Sequence, residues 1–330
     1  VTLIISKARR RAALVGAGLV VAACLAAGIG RIMPSASQPR PDPPAPIAAD
    51  GRFDGQLAFR HLVDICKLGP RISGTAGMRN QQELLRKHFE ALGGAVSLQP
   101  FPIRQPSRRK QISGANLIVE WHPTSKQRVL LGAHYDTRPI ADMEPLVRNR
   151  SKPILGANDG ASGIALLMEL GRHLPKLELA VGVDFVCFDA EEYIYDPDRD
   201  RYFLGSEHFV AQYTRREKSF RYDAVIIVDM IGDRDLAIHP EEHSIARSGP
   251  LVRQIWETAA KLRVRQFKPD VKHTVLDDHI PLQRAGLQAI VLIDFDYPHW
   301  HRLTDTPDRC SAGSLEAVGK VLLQWLIEQR

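Results

Sequence analysis

The chain has 330 residues, 44% hydrophobic and 25% charged, the make-up of a globular protein with room for one large domain or two small ones. Its net charge of +6 is uneven: residues 1–50 hold six basic side chains against two acidic ones, so four of the six charges sit there. The basic excess is not spread along a folded surface, and nucleic acid is not expected as a partner.

The basic run KARRR (7–11) precedes nineteen uncharged residues (12–30), followed by Arg31. That length suits one bilayer crossing, and the basic flank is expected to stay cytoplasmic, sending the rest of the chain across. Residues 1–31 are therefore expected to act as a membrane anchor or as a cleaved signal segment. VAAC (21–24) also resembles a lipoprotein processing site, with Cys24 lipidated. Either way the folded part is expected outside the cytoplasm, anchored or exported. Residues 32–50, rich in proline and alanine, have no apolar period and are expected to form a semi-extended linker. Residues 51–330 make the folded domain. Cys24, Cys66, Cys187 and Cys310 include no C-x-x-C pair, so no thiolate metal site is expected. A Cys66–Cys310 bridge stays open at this stage.

Two windows, 57–69 and 79–94, place apolar residues at helical spacing and close on glycine. Strand-like runs follow at 116–121, 128–133, 181–188, 224–230 and 289–293, with helical patterns at 163–174, 250–264 and 313–329. Strands apolar on both faces and alternating with helices predict an α/β fold whose sheet is buried between helical layers. In open α/β sheets ligands gather beyond the carboxyl ends of the strands.

Those ends carry chemistry. His134-Tyr135-Asp136 follows the run at 128–133, and Asp189-Ala190-Glu191-Glu192 follows VGVDFVCF (181–188). Asp229 closes the run at 224–230, and His299-Trp300-His301 comes shortly after 289–293. Asp159 lies in GANDGASG (156–163), a glycine-rich turn opening a helix. Each has an ordinary explanation alone: a solvated strand end, a surface histidine, a helix N-cap. Together, imidazole and carboxylate without thiolate suit a catalytic zinc site with about three protein ligands and one open position. Adjacent glutamates can then divide the work, one holding the metal and the other moving protons.

AHYDT, GANDGASG, FDAEE, VDM and WH, in this order, resemble the superfamily of zinc aminopeptidases and glutaminyl cyclases, over residues 60 to 328 or so. The resemblance implies a three-layer sandwich with a mixed, mostly parallel central sheet. For an aminopeptidase it implies two zinc ions sharing Asp159, one held by Glu192 and His301, the other by His134 and Asp229, with Glu191 activating water. DDHIPL (277–282), Trp300 before His301, and DTRPIADMEP (136–145) preceding ILGANDGASG lean toward the bacterial members of the cyclase branch. That branch implies one zinc ion on Asp159, Glu192 and His301, and peptide N-termini as substrate. Glu191 would shuttle the proton while zinc polarises the γ-carbonyl of an N-terminal glutamine, giving pyroglutamate and ammonia. Asp229 and Asp277 would share protons with Glu191, and Trp300, His279 and Tyr297 would line the substrate pocket. Two departures stand out: the cyclases' tryptophan after the Glu-Glu pair is missing, with Tyr193 and Tyr195 nearby instead, and Leu282 replaces a phenylalanine.

No G-x-S-x-G, G-x-G-x-x-G or P-loop pattern occurs, which argues against a serine hydrolase and against nucleotide chemistry. A non-enzymatic, receptor-like domain of the same fold would be expected to have lost ligand positions; all are present here.

Overall fold

Six strands hydrogen-bond in the order β1-β2-β4-β3-β5-β6: β1 Ala95–Ile103, β2 Ile112–Trp121, β3 Gln127–His134, β4 Gly182–Phe188, β5 Arg221–Asp229 and β6 Ala289–Ile293. The last four run parallel to one another, and β1 and β2 join antiparallel at one edge, so the sheet is mixed and mostly parallel. The structure, a computed structural model, describes residues 51–215 and 219–329. The apolar segment 12–30 with Cys24, and the linker 32–50, lie outside the described residues. Among the described residues no helix is long and apolar enough to cross a membrane.

The parallel strands are apolar on both faces because helices cover both. Val129, Leu131 and Ala133 of β3 pack on one side with α1 (Gly55–Cys66), α2 (Ala76–Ala91), α3 (Ala161–Gly171), α5 (Glu242–Lys261) and α7 (Ala312–Ile327). Leu130 of β3, Val186 of β4 and Ile227 of β5 face the other way, toward Phe209 of α4 (Leu204–Arg215) and Leu282 of α6 (His279–Arg284). The result is the three-layer sandwich expected from the sequence. Every residue of α3 is buried, which explains why its apolar residues run all round the helix instead of along one stripe. Cys66, Cys187 and Cys310 are buried free thiols, so the Cys66–Cys310 bridge is not formed.

Three elements, β1, α4 and the short α6, were not legible in the sequence pattern, and α5 was legible only in part. Strand β1 contains Pro100 and Pro102, which normally argue against a strand. It is an edge strand, and residues two apart point their nitrogens to the same side, so both prolines face away from β2 and cost no ladder bond. Helix α4 follows a polar loop and lacks a strong apolar stripe. Helix α5 begins at Glu242, eight residues before the predicted start, across a kink where Ser248 leaves helical geometry (φ −141°, ψ 34°) ahead of Pro250.

The start of α3 sits directly on the sheet. A Cβ at Gly163 would stand 2.6 Å from the Val228 carbonyl oxygen and 2.8 Å from Ala133 Cβ. Gly163→Val should therefore push α3 off β3 and β5 and destabilise the fold by about 1–3 kcal/mol in denaturant melts. Gly313→Ala in α7, where nothing lies within 4 Å of the added carbon, should show no such loss.

Candidate metal centre

The strand register brings the carboxyl ends of β3 to β6 to one edge: His134 lies opposite Phe188, and Asp229 opposite Ile293. The loops that leave these strands are tied by carboxylates that accept backbone N–H groups. Asp136 accepts from Glu191 (3.1 Å) and Glu192 (3.2 Å), which fixes the turn after β4. Asp305 accepts from Asn158 (2.8 Å) and Asp159 (3.1 Å) and from the Tyr297 hydroxyl at 2.7 Å, which fixes the glycine-rich turn. In that turn Gly160 has φ +94° and packs against the Asp136 carbonyl oxygen, where a side chain would not fit. Asp189 points away from this edge, accepting from Ser73 Oγ (2.7 Å) and Ala115 N (2.9 Å).

Within this frame three side chains converge. His301 Nε2 lies 3.5 Å from Glu192 Oε2 and 3.8 Å from Asp159 Oδ2. Both oxygens are buried and have no hydrogen-bond partner among the described residues. Two ligands at about 2.0–2.2 Å from one tetrahedral zinc ion would be about 3.3–3.6 Å apart, so the spacing and the orphaned oxygens fit a bound cation. On the far side of Asp159, His134 Nε2 lies 3.2 Å from Asp159 Oδ1 and 3.1 Å from Asp229 Oδ1. Ligating atoms of His134, Asp159 and Glu192 fall within 4.8 Å of one another, so this histidine also belongs to the cluster.

Electrostatics favour a cation here. Burial, then repulsion from Asp159, pushes the Glu192 carboxyl well above the usual range, a rise that His134 opposes. Burial also lowers the His301 pKa, favouring the neutral imidazole that binds metals. Glu191 is raised by burial and by Asp277 and Asp278, against the pull of His134. Asp229 is pushed up to about 7, again chiefly by burial.

A cavity of about 380 Å³ opens over the cluster. Asp159, Glu191, Glu192, Asp229, Asp277, Trp300 and His301 all line it. His134 sits behind that surface. Two residues assigned to the substrate pocket are not on the wall. His279 is fully buried at the start of α6, its Nε2 3.2 Å from Glu241 Oε1. Tyr297 is buried and spends its hydroxyl on Asp305. Both support the site from behind, because neighbouring elements cover them. In the loop after the Glu-Glu pair, Tyr202 and Phe203 line the cavity, whereas Tyr193 packs with Phe101 and Ile103. Phe295 and Leu276 form its apolar rim. Sequence reasoning missed these, and also Asp305, because only the folded loops bring them to the site; it placed Asp136 at a strand end without its role in bracing the Glu-Glu turn.

Residues 116–326 match the family model for Peptidase family M28, and the chain belongs to that family. Its sequence and structure are also similar to those of glutaminyl cyclases, which places it in the cyclase branch. It is 42% identical to the glutaminyl cyclase of Fimbriiglobus ruber, whose crystal structure superposes with a TM-score of 0.82 over 84% of this chain and 96% of that one. A leucine aminopeptidase precursor from Bacteroides thetaiotaomicron is 28% identical, with a TM-score of 0.80 over 84% of this chain and 98% of that one. Glutaminyl-peptide cyclotransferase of Drosophila melanogaster is 23% identical over 77% of this chain and 74% of its own.

Buried acids outside the metal cluster generate a pH prediction. Burial pushes both Asp189 and Asp305 up to about 7. In the fold they hold protons that the unfolded chain releases near pH 4, so their contribution weakens as pH rises from about 4 to about 7. Denaturant melts of the metal-free protein should show Asp189→Asn to have a flatter pH dependence than the wild type over that interval. An unchanged slope would refute the assignment.

Proposed function

We propose that this protein is a zinc-dependent glutaminyl-peptide cyclotransferase, closing the N-terminal glutamine of peptides into pyroglutamate with release of ammonia. The observation that carries the one-metal reading is an asymmetry among the acceptors. Asp159 Oδ2 and Glu192 Oε2 are buried without partners among the described residues and face His301 Nε2. Asp229 Oδ1, by contrast, already meets His134 at 3.1 Å and the Met230 N–H at 2.8 Å. Asp159, Glu192 and His301 would hold the zinc ion, which when bound polarises the γ-carbonyl and stabilises charge developing on its oxygen.

The chain's own residues account for the remaining work. The substrate's α-amine attacks the γ-carbon, a C–N bond forms, and the γ-amide nitrogen leaves as ammonia. One proton must pass from the attacking nitrogen to the departing one. Glu191 lines the cavity beside the metal ligands and has a raised proton affinity, so it can take that proton and return it. Asp277 stands close enough to raise the proton affinity of both Glu191 and Asp229. Trp300, Phe203 and Ile293 supply apolar wall for the glutamine side chain and limit water, which would otherwise compete as nucleophile. The similarity to the Fimbriiglobus ruber cyclase supports the same reading. The aminopeptidase alternative keeps one specific observation in its favour: His134 and Asp229 stand where a second ion would need them. The charged flank and uncharged stretch at 7–30 support a catalytic domain held or released outside the cytoplasm.

Incubation with a glutaminyl peptide and with leucine anilide, alongside metal analysis, separates the two. Ammonia release with one zinc per chain is expected; anilide cleavage with two zincs would overturn the proposal. Glu191→Gln should lower turnover by about 10²–10⁴-fold and leave zinc bound. Glu192→Gln should weaken zinc retention on dialysis against a chelator. Equal loss of zinc from both variants would refute the division of labour between the two glutamates.

A further inference from the structure

His301 is buried, and its two ring nitrogens face different groups. Nε2 points at Asp159 and Glu192, so a metal held there takes the lone pair of Nε2 and leaves the ring proton on Nδ1. A buried N–H of this kind needs an acceptor. The acceptor beside His301 Nδ1 is the Asp142 carboxylate, with Oδ1 at 3.2 Å.

Asp142 is not free to swing. The Arg138 guanidinium grips it through both oxygens, Nε to Oδ1 at 2.8 Å and Nη2 to Oδ2 at 2.9 Å. This planar two-bond geometry fixes direction as well as distance. Arg138 is itself buried, and its Nη2 also donates to the Tyr202 hydroxyl at 3.1 Å. Its backbone N–H donates to Glu192 Oε1 at 2.7 Å. One residue therefore reaches two of the three candidate ligands: Glu192 through its backbone, and His301 through Asp142.

We propose that Asp142, clamped by Arg138, is a positioning residue that fixes the ring orientation and the Nδ1 proton of His301, so that Nε2 is held toward the metal. This rests on the metal reading of the site and is independent of which reaction the site performs. Carboxylates that orient metal-bound histidines commonly carry a 10–100-fold share of metal affinity. His301 sits on a left-handed backbone (φ 53°), with the Trp300 ring tilted against its own at 3.9 Å between centroids, so Trp300 covers the imidazole while Asp142 meets its Nδ1 edge.

The test is zinc affinity of the full chain, measured by competition with a chromophoric chelator, without turnover. Asp142→Ala should weaken zinc by about 10–100-fold. Asp142→Asn, which keeps an acceptor oxygen, should lose less. Proton NMR of the zinc-loaded proteins should show the His301 Nδ1–H as a downfield, slowly exchanging resonance in the wild type, and faster exchange or an upfield shift of that proton in Asp142→Ala. Melts of the metal-free variants check folding, and if the alanine variant fails to fold, the zinc affinity and Nδ1–H exchange of the asparagine variant decide the question. Affinity within twofold of wild type with the Nδ1–H resonance and its exchange rate unchanged would overturn the proposal, even if peptide KM rose. A failed cyclase assay would refute the proposed reaction and leave this result standing.

Discussion

Buried carboxylates that lack enough protein cations to neutralise them govern this structure. Asp159, Glu192, Asp229, Asp277 and Asp278, with the half-buried Glu191, crowd the carboxyl edge of a hydrophobic sheet, with His134, His301 and Arg138 among them. Such a cluster is tolerable only if the acids are protonated, bonded by donors or bound to a cation. The site uses all three remedies, and more than one of them on Asp305, Asp229 and Glu192. Glu191, Asp229 and Asp277 have raised proton affinity, Asp136 and Asp305 are met by backbone N–H groups, and Asp159 and Glu192 keep oxygens for an ion.

That division gives the chemistry its geometry. A carboxylate whose two oxygens each accept a backbone N–H is fixed against its loop, and it holds rigid the loop that carries a ligand or a proton carrier. Asp136 holds the Glu-Glu turn and Asp305 the Asp159 turn, each within about a residue of its charge, so the functional oxygens are placed by short chains of bonds. The backbone carries strain at the same edge: Ala190, Phe203, Met230 and His301 all have positive φ without being glycine. Left-handed residues of this kind persist where surrounding contacts over-determine them, and here those contacts are the loops of the site.

The fold was readable wherever burial left a pattern. Strands β3 to β6 are covered on both sides and spell continuous apolar runs; α1, α2 and α7 show their buried face at helical spacing. Strand β1 was not readable, since an edge strand needs only half its backbone paired and so tolerates Pro100 and Pro102. The first part of α5 was hidden by Gly249-Pro250, which ordinarily ends a helix and here kinks one. In the site, the strand-end rule located Glu191, Glu192, Asp229 and His301, and the cavity gathers them. His279 and Tyr297 were assigned to the pocket by likeness to relatives, and only packing reveals that they stand behind its wall.

The sequence by itself determined which chemical groups are available and at which edge of the sheet they emerge, because strand direction and the period of burial are local properties of the chain. It also held the ordered motifs that tie the chain to its family. Tertiary structure alone decided which acids keep a free oxygen and which are spent on backbone donors. Asp136 and Glu192 look alike as letters, yet one is met by two N–H groups and the other faces His301 across a space sized for an ion. That difference depends on loops remote in sequence meeting at one edge: Asp305 reaches back to Asn158 and Asp159, and Asp142 to His301. Only the folded chain brings them within hydrogen-bonding distance.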